Sequence, residues 1–188
     1  MKISQTLKLC LLLPALGLGL THAEEEGESH DMVITDGVEM GKFTHDYEAA
    51  MAQAKKKGLP VMLVFTGSDW CGWCIKMDTN VFSKPEWSAY AKETIVQVWL
   101  DFPRDKSLVP EKYREQNNSL KGKYGIRGYP TYIILDSSGN KVGQLGAGRD
   151  KTPASFRAEL EKVLIMTESG MKAYTGKMKS GDAADVMA

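Results

Sequence analysis

Residues 61–74, Val-Met-Leu-Val-Phe-Thr-Gly-Ser-Asp-Trp-Cys-Gly-Trp-Cys, decide the fold that this chain is expected to adopt. Val61 to Phe65 is a continuous apolar run of strand-forming residues, typical of a central strand that is buried on both faces. Cys71 and Cys74 follow it, separated by two residues, and a helical spacing of apolar residues begins directly after them. The stretch therefore predicts a buried strand that leads into a pair of cysteines at the start of a helix.

The first 23 residues have the pattern of a signal peptide. A short basic start is followed by an apolar run from Leu9 to Leu20, and the small residues Thr21 and Ala23 stand where a signal peptidase cleaves. The run is too short to cross a bilayer whose hydrocarbon core is about 30 Å thick. We expect residues 1–23 to be removed together with Cys10, which predicts a secreted chain with no stable membrane span after cleavage.

The two remaining cysteines, Cys71 and Cys74, can pair only with each other within one chain. An exported protein meets conditions in which thiols oxidise, so a Cys71–Cys74 disulfide is expected. A disulfide that closes so short a loop restrains little of the unfolded chain, and stability is a poor reason for it. The spacing favours redox chemistry.

The predicted helix start assigns different chemistry to the two thiols. Unpaired backbone N–H groups and the positive end of the helix dipole stabilise a thiolate, so the pKa of Cys71 is expected to fall from about 8.5 toward about 7. Cys71 is then the attacking nucleophile. Cys74, one turn further into the helix, is expected to be more shielded and to resolve the mixed disulfide that Cys71 forms.

Hydrophobic periodicity predicts the rest of an α/β domain. An acidic flexible lead-in is expected over residues 24–42, the domain over 43–168 and a loosely attached tail over 169–188. Helices are predicted from an N-cap at Thr44, after Cys74 with a kink or a restart at Pro85, over residues 110–123 and from Thr152; the further strands are residues 95–100, 131–135 and 141–145. This order describes a mixed sheet with helices on both faces.

Two motifs resemble the signatures of the thioredoxin-like superfamily: Trp-Cys-Gly-Trp-Cys at residues 70–74 and Ile-Arg-Gly-Tyr-Pro-Thr at residues 126–131. Within it the chain is most similar to an exported bacterial branch of thiol-disulfide oxidoreductases, over about residues 43–166. The resemblance implies a thioredoxin-like fold, a bacterial periplasmic location and a cis-proline at Pro130 that faces the cysteines. It also implies that Tyr129 offers backbone hydrogen bonds to a bound polypeptide.

The other aromatic and histidine side chains are assigned by position. Trp70, Gly72 and Trp73 flank the cysteines and are expected to contact a client polypeptide, together with Tyr129 and Pro130. The tryptophans outside this motif, Trp87 and Trp99, are expected in the core. The histidines His30 and His45 are expected on the surface.

The chain departs from the superfamily pattern beneath the cysteines. Val64 stands at the strand position where thioredoxin has a buried carboxylate, so the usual proton acceptor for Cys74 is missing. Asp69 is a candidate to replace it, and a solvated turn aspartate is the alternative interpretation. Trp73 replaces the proline that thioredoxin has between its cysteines, and the direction of electron transfer stays open between reduction, isomerisation and oxidation.

Composition and ligand counts limit the other functions. The chain has 24 basic and 24 acidic residues, so no basic field is available for nucleic acid. Zinc would need about four ligands, and haem attachment would need histidine after Cys74, where Ile75 stands. No metal or cofactor is expected, and the expected partners are protein thiols or disulfides with an unidentified redox partner. Copper(I) binding by the two thiolates and a partner-binding domain with idle cysteines are the alternatives.

Overall fold

The computed structural model describes residues 32–165 together with Lys172 and Thr175. Six strands and five α-helices are found in this part of the chain, together with a π-helical turn at Asp78–Phe82 and a short 3-10 helix at Lys106–Leu108. The strands are β1 Val33–Ile34, β2 Phe43–Thr44, β3 Val61–Thr66, β4 Val96–Asp101, β5 Thr131–Leu135 and β6 Lys141–Gly146. The helices are α1 Tyr47–Lys57, α2 Gly72–Met77, α3 Pro85–Thr94, α4 Glu111–Lys123 and α5 Pro153–Leu164.

The strands form one mixed sheet in the order β1-β2-β4-β3-β5-β6. Strands β1, β2, β4 and β3 are parallel, whereas β5 is antiparallel to β3 and to β6. The predicted α/β class, the mixed sheet and the order of the main elements are confirmed. Because β3 and β4 are parallel and in register from Val61 opposite Val96 to Thr66 opposite Asp101, their carboxyl ends meet at one edge. The chain continues from that edge into the cysteine motif.

Strand β3 is buried along its whole length, as its apolar run predicts. Its alternate side chains lie in two separate clusters, one on each face of the sheet. Met62 and Val64 lie with residues of α2, α3 and α5, and Leu63 and Phe65 lie with residues of α1 and α4. Helices therefore cover both faces, which confirms the predicted layer arrangement.

The segment after the cysteines is divided into two helices, the second of the predicted possibilities. Helix α2 has only six residues and runs into a π-helical turn at Asp78–Phe82. Pro85 then occupies the first turn of α3, where its missing N–H costs no helical hydrogen bond. The wide turn directs Val81 and Phe82 into the core, where both are fully buried.

The first helix begins later than the predicted N-cap. Thr44 belongs to β2, where it lies opposite Val98, and is 1% exposed. The cap is Asp46, whose side chain accepts a hydrogen bond of 2.9 Å from the Ala49 N–H. The prediction of Thr44 was wrong because pairing with β4, which the local sequence does not reveal, holds this residue in the sheet. At the other end, Gly58 adopts the left-handed conformation with φ of 66° that ends the helix.

The predicted lead-in over residues 24–42 differs from the structure in its second half. Val33 and Ile34 form the edge strand β1, parallel to β2, so the described domain begins before Phe43. Three predictions fall outside the described residues: the signal peptide over 1–23, His30, and the tail over 169–188 apart from Lys172 and Thr175.

The two core tryptophans and His45 have different outcomes. Trp87 and Trp99 are buried, as predicted. His45 was predicted on the surface and is only 7% exposed, so that prediction was wrong. Its Nδ1 atom lies 3.1 Å from the carbonyl oxygen of Trp99 on β4, and its ring stacks on Tyr113. Burial lowers the pKa of His45 below its ordinary value.

Candidate redox site

The cysteine motif is positioned by the end of β3 and the start of α2. Cys71 is the N-cap of α2, in extended conformation, and its Sγ lies 3.3 Å from the backbone nitrogen of Cys74. The two cysteines form a disulfide, with their Cα atoms 5.2 Å apart. Cys71 is 8% exposed and Cys74 is 4% exposed, so each offers little surface in this oxidised state.

The second motif lies against the first, although 58 residues separate Cys71 from Tyr129. The Tyr129–Pro130 peptide bond is cis, and the carbonyl oxygen of Tyr129 lies 3.6 Å from Cys71 Sγ. The ring of Tyr129 packs edge-on against Trp70, with centroids 5.8 Å apart, and its other neighbour is the Phe102 ring, tilted by 33° at a centroid distance of 5.4 Å. The fold thus brings together the two stretches that the sequence singled out.

Hydrogen bonds from the end of β4 hold the loop between β3 and the cysteines. The carboxylate of Asp101 accepts bonds from the backbone N–H of Ser68, at 2.9 Å, and from its hydroxyl, at 2.5 Å. The Phe102 N–H donates to the Thr66 carbonyl at 2.9 Å, and the Trp70 indole N–H donates to the Phe102 carbonyl at 2.9 Å. The loop that presents Cys71 is therefore fixed to a neighbouring strand and has little freedom.

Asp101 is a part of the site that the sequence analysis missed. Its side chain is buried, and this burial raises the pKa of Asp101 above its ordinary value, while the bonds from Ser68 act in the opposite direction. The signal in the sequence was an aspartate directly after the apolar run of β4, where the chain leaves the sheet edge.

Asp69 has a structural role in place of the catalytic one that was considered. Its two carboxylate oxygens accept hydrogen bonds of 2.9 Å from the backbone N–H groups of Arg104 and Asp105. These bonds, the one from Asp105 above all, lower the pKa of Asp69. A carboxylate with a lowered pKa is a weaker base, so this geometry argues against Asp69 as the acceptor of the Cys74 proton.

Val64 is 1% exposed and packed among apolar side chains, so this position supplies no carboxylate beneath the cysteines. A different acid lies one helical turn after Cys74: the backbone N–H of Asp78 donates to the Cys74 carbonyl. Burial raises the pKa of Asp78, and its carboxylate accepts a hydrogen bond of 3.2 Å from Ser83. The sequence analysis missed Asp78, although a spacing of four residues from Cys74 on a helix places both residues on the same face.

Around the disulfide, large apolar side chains are exposed. Trp70 is 39% exposed and Trp73 is 47% exposed, which puts both on the surface beside the cysteines. Ile75, which the sequence analysis did not single out, is 45% exposed. Gly72 is exposed as well, and a Cβ added to it would meet nothing within 4 Å. Pro130 and Tyr129 are partly exposed next to this surface.

The part of the chain that the structure describes holds neither a metal-binding cluster nor a membrane-spanning helix. Within residues 32–165, no group of three or more histidine, cysteine, aspartate or glutamate side chains is placed to hold a metal ion. None of the helices in that part of the chain is long and apolar enough to cross a membrane.

Replacing Asp69 with asparagine should destabilise the protein more at neutral pH than in acid. The folded state lowers the pKa of Asp69 below 3.8, so its stabilisation is present above that pH and is lost as the pH falls through the lowered folded-state pKa. Asparagine keeps one acceptor oxygen for two N–H groups. Urea unfolding of both proteins at pH 7 and at successively lower pH measures the difference.

The control for this prediction is Glu115→Gln, at an exposed glutamate on α4 that forms no ion pair with any described residue. Its effect on the free energy of unfolding should be close to zero at both pH values. A penalty for Asp69→Asn that stays constant down to the lowest pH would show that the charge of Asp69 does not hold the 104–105 backbone.

The fold and the site together define a class: a mixed α/β domain in which a disulfide at a helix N-terminus faces a cis-proline. The chain belongs to the thioredoxin-like domain family, whose model matches residues 47–164. This agrees with the fold and family that the two motifs predicted.

Two curated proteins of known name are similar in sequence to this chain. It is 36% identical over 100 residues to the disulfide bond reductase DsbH of Chlamydia pneumoniae, an alignment that covers 53% of this chain and 60% of the relative. It is 30% identical over 156 residues to the thioredoxin-related protein DsbJ of Chlamydia pneumoniae, covering 83% of this chain and 40% of that protein. The chain thus spans between two fifths and three fifths of the length of these curated relatives.

A solved structure supports the same placement. The structure of a DsbH oxidoreductase superposes with a TM-score of 0.60 and 27% sequence identity, covering 80% of this chain and 95% of the solved chain. The similarity therefore extends beyond the cysteine motif to most of the described domain.

Proposed function

We propose that this protein is an exported thiol-disulfide oxidoreductase that reduces disulfides in protein clients through Cys71 and Cys74. The observation that carries the proposal is the Cys71–Cys74 disulfide at the start of α2, against the cis Tyr129–Pro130 bond. The name of the relative DsbH, a disulfide bond reductase, favours the reducing direction. The proposed location of the protein is the bacterial periplasm.

The reaction follows from the positions of the two thiols. In the reduced protein the Cys71 thiolate attacks one sulfur of a client disulfide, forms a mixed disulfide and releases the other client sulfur as a thiolate. The Cys74 thiolate then attacks Cys71 Sγ, which releases the second client thiol and leaves the Cys71–Cys74 disulfide. The client gains two electrons, and an external thiol reductant must return two electrons to the protein.

The assignment of Cys71 as nucleophile rests on its position at the helix N-terminus. The backbone N–H of Cys74 points at Cys71 Sγ from 3.3 Å, and in the reduced protein such a donor stabilises a thiolate. Cys74 begins from the more buried position. A client sulfur therefore reaches Cys71 first.

The residues around the disulfide would hold the client. The Tyr129 carbonyl lies beside Cys71 Sγ, at the place where a client backbone passes, and Pro130 fixes the turn of that loop. Trp70, Gly72 and Trp73 offer the adjoining exposed surface. Because Trp70 is held by its bond to the Phe102 carbonyl, this surface is ordered before a client arrives.

A turnover assay tests the proposal. The full mature chain is mixed with a protein disulfide substrate and dithiothreitol, and the release of client thiols is followed against dithiothreitol alone. The wild type should accelerate reduction, and the Cys71→Ala, Cys74→Ala double variant should not. A wild-type rate equal to that of dithiothreitol alone would refute the function.

The copper alternative gains no support from the relatives, whose names refer to disulfide reduction and to thioredoxin. The same preparation decides between the two functions. Stoichiometric copper(I) binding by the thiols, without turnover of the disulfide substrate, would favour the copper function.

Export should remove residues 1–23 and leave Glu24 as the first residue, because Thr21 and Ala23 form the small-residue cleavage site. N-terminal sequencing of the protein from a periplasmic fraction measures this. A retained Met1 in the membrane fraction would instead show an anchored protein.

A further inference from the structure

The surface that a client must cover has an apolar part. Trp70, Trp73 and Ile75, here called the apolar patch, are the large apolar side chains that the described structure leaves exposed. All three lie within four residues of Cys71. A client disulfide that reaches Cys71 therefore brings its neighbouring residues onto this patch, which removes apolar surface from water.

A basic groove begins at the edge of the apolar patch. It has a volume of about 390 Å³ and lies between α2, the π-helical turn and the loop that leads into α5. Lys76, Lys84, Arg149 and Lys151 are its cationic lining residues. Lys76 joins the groove to the patch, because its Nζ lies 5.8 Å from the centroid of the Trp73 ring.

Most of the charge in the basic groove is uncompensated. Lys151 forms an ion pair with Glu159, whereas Lys76, Lys84 and Arg149 form no ion pair with any described residue. One carboxylate, that of Asp150, opposes these cations in the lining, among the residues that the structure describes.

The neighbouring helix start contributes the same sign of charge. Thr152, the N-cap of α5, also lines the groove, so the positive end of this twelve-residue helix faces it. The groove is therefore complementary to carboxylates, whereas an apolar ligand would leave its cations without an opposite charge.

The separation of the groove from the reactive sulfur indicates where these carboxylates would lie in a client. Lys76 follows Cys71 by five residues, which corresponds to about 7.5 Å along α2 at the helical rise per residue. An extended polypeptide advances about 3.3 Å per residue, so two or three client residues cover the distance to Lys76. The groove continues from Lys76 to Asn80, so a fourth client residue also lies within it.

We propose that the protein selects polypeptide clients that carry acidic side chains two to four residues from the reacting cysteine. The carboxylates bind Lys76, Lys84 and Arg149 in the basic groove, and the residues between them and the cysteine cover the apolar patch. This inference rests on the proposed function and names its substrate class. Exposed ion pairs are individually weak, so the three cations together give a preference on the order of tenfold.

Two peptides of equal length test this selection. Each carries one cysteine as a mixed disulfide with thiopyridine, and residues two to four on both sides of the cysteine are glutamate in one peptide and glutamine in the other. The quantity compared is kcat/KM, measured in a single turnover as the second-order rate constant for the release of thiopyridone when limiting peptide is mixed with an excess of the reduced, full mature protein. The wild type should favour the glutamate peptide about tenfold at low salt, and the preference should shrink at high salt.

Two triple variants with the same change in net charge locate the effect. Lys76→Gln, Lys84→Gln and Arg149→Gln together should bring the ratio of kcat/KM values close to one. The matched control replaces three exposed lysines in the last turn of α1, on the opposite face of the sheet, and should keep the wild-type ratio. The control substitutions are Lys55→Gln, Lys56→Gln and Lys57→Gln.

Each contrary result overturns the inference in a recognisable way. Equal kcat/KM for the two peptides with the wild type would refute acidic selection and leave the proposed function intact, whereas no turnover of either peptide would refute the function itself. Equal loss of preference in both triple variants would show a net-charge effect without a groove. If the peptides are not distinguished but binding to phosphatidylglycerol vesicles is lost in the groove variant alone, the groove binds a membrane surface and the inference is wrong.

Discussion

Replacing Cys74 with alanine should convert the protein from a catalyst into a covalent trap for its clients. The remaining Cys71 thiolate still attacks a client disulfide, but no neighbouring thiol can then attack Cys71 Sγ. Turnover should fall by at least about a hundredfold, since only slow external thiols remain to resolve the adduct. Non-reducing electrophoresis and intact mass should show one client chain attached to each protein.

The paired variant Cys71→Ala is the control for this result. It retains a thiol at the more buried position, away from the N-cap, and should capture almost no client. Adducts in equal amounts on the two variants would contradict the assignment of Cys71 as nucleophile and Cys74 as resolving cysteine. Trapping on Cys71→Ala alone would reverse the two roles.

Replacing Phe82 with alanine should remove about 3–5 kcal/mol from the free energy of unfolding. Phe82 is 1% exposed, at the end of the π-helical turn. Its ring packs edge-on against four other aromatic rings, with centroids 5.4–5.5 Å apart: those of Phe43, Trp87, Tyr132 and Phe156. The truncation leaves a cavity where α2, α3, α5 and the sheet meet, and urea unfolding measures its cost.

Two further substitutions separate the effect of the buried cavity from the loss of an aromatic ring as such. Phe82→Leu leaves a smaller cavity and should cost less than Phe82→Ala. Trp73→Ala removes a larger ring from an exposed position and should change the free energy of unfolding by no more than about 0.5 kcal/mol. If Phe82→Ala and Trp73→Ala lowered the free energy of unfolding equally, the aromatic cluster around Phe82 would not be a main source of stability.

The parts of this site that depend on neighbouring residues in the chain were predictable. The apolar run of β3, the break before Cys71 and the helix after it are adjacent in sequence, and burial on both faces leaves a strand little choice of composition. The cis-proline loop is distant in sequence, and only its resemblance to a known motif connected it with the cysteines. Likewise, only comparison with the thioredoxin pattern showed that a carboxylate is missing at Val64.

The errors at Thr44 and His45 and the omission of Asp101 arose where the pairing of distant strands determines the contacts. Thr44 looks like a helix start in isolation, but β2 pairs with β4 and holds Thr44 in the sheet, and His45, the next residue, is buried against β4. Asp101 reaches Ser68 only because β3 and β4 are in register at their carboxyl ends. Asp69 likewise meets the 104–105 backbone across this edge. Such contacts join residues more than 30 positions apart, and periodicity within one segment carries no information about them.

The reduction potential of the Cys71–Cys74 couple tests the central claim most directly. The mature protein is equilibrated with thiol-disulfide buffers of known potential, and the fraction of reduced protein is counted by alkylation and mass. A reductase of protein disulfides should have a potential below about −200 mV, toward the value of thioredoxin near −270 mV. A potential close to the −120 mV or so of the oxidant DsbA would contradict the account, because such a couple would donate its disulfide to clients in preference to reducing theirs.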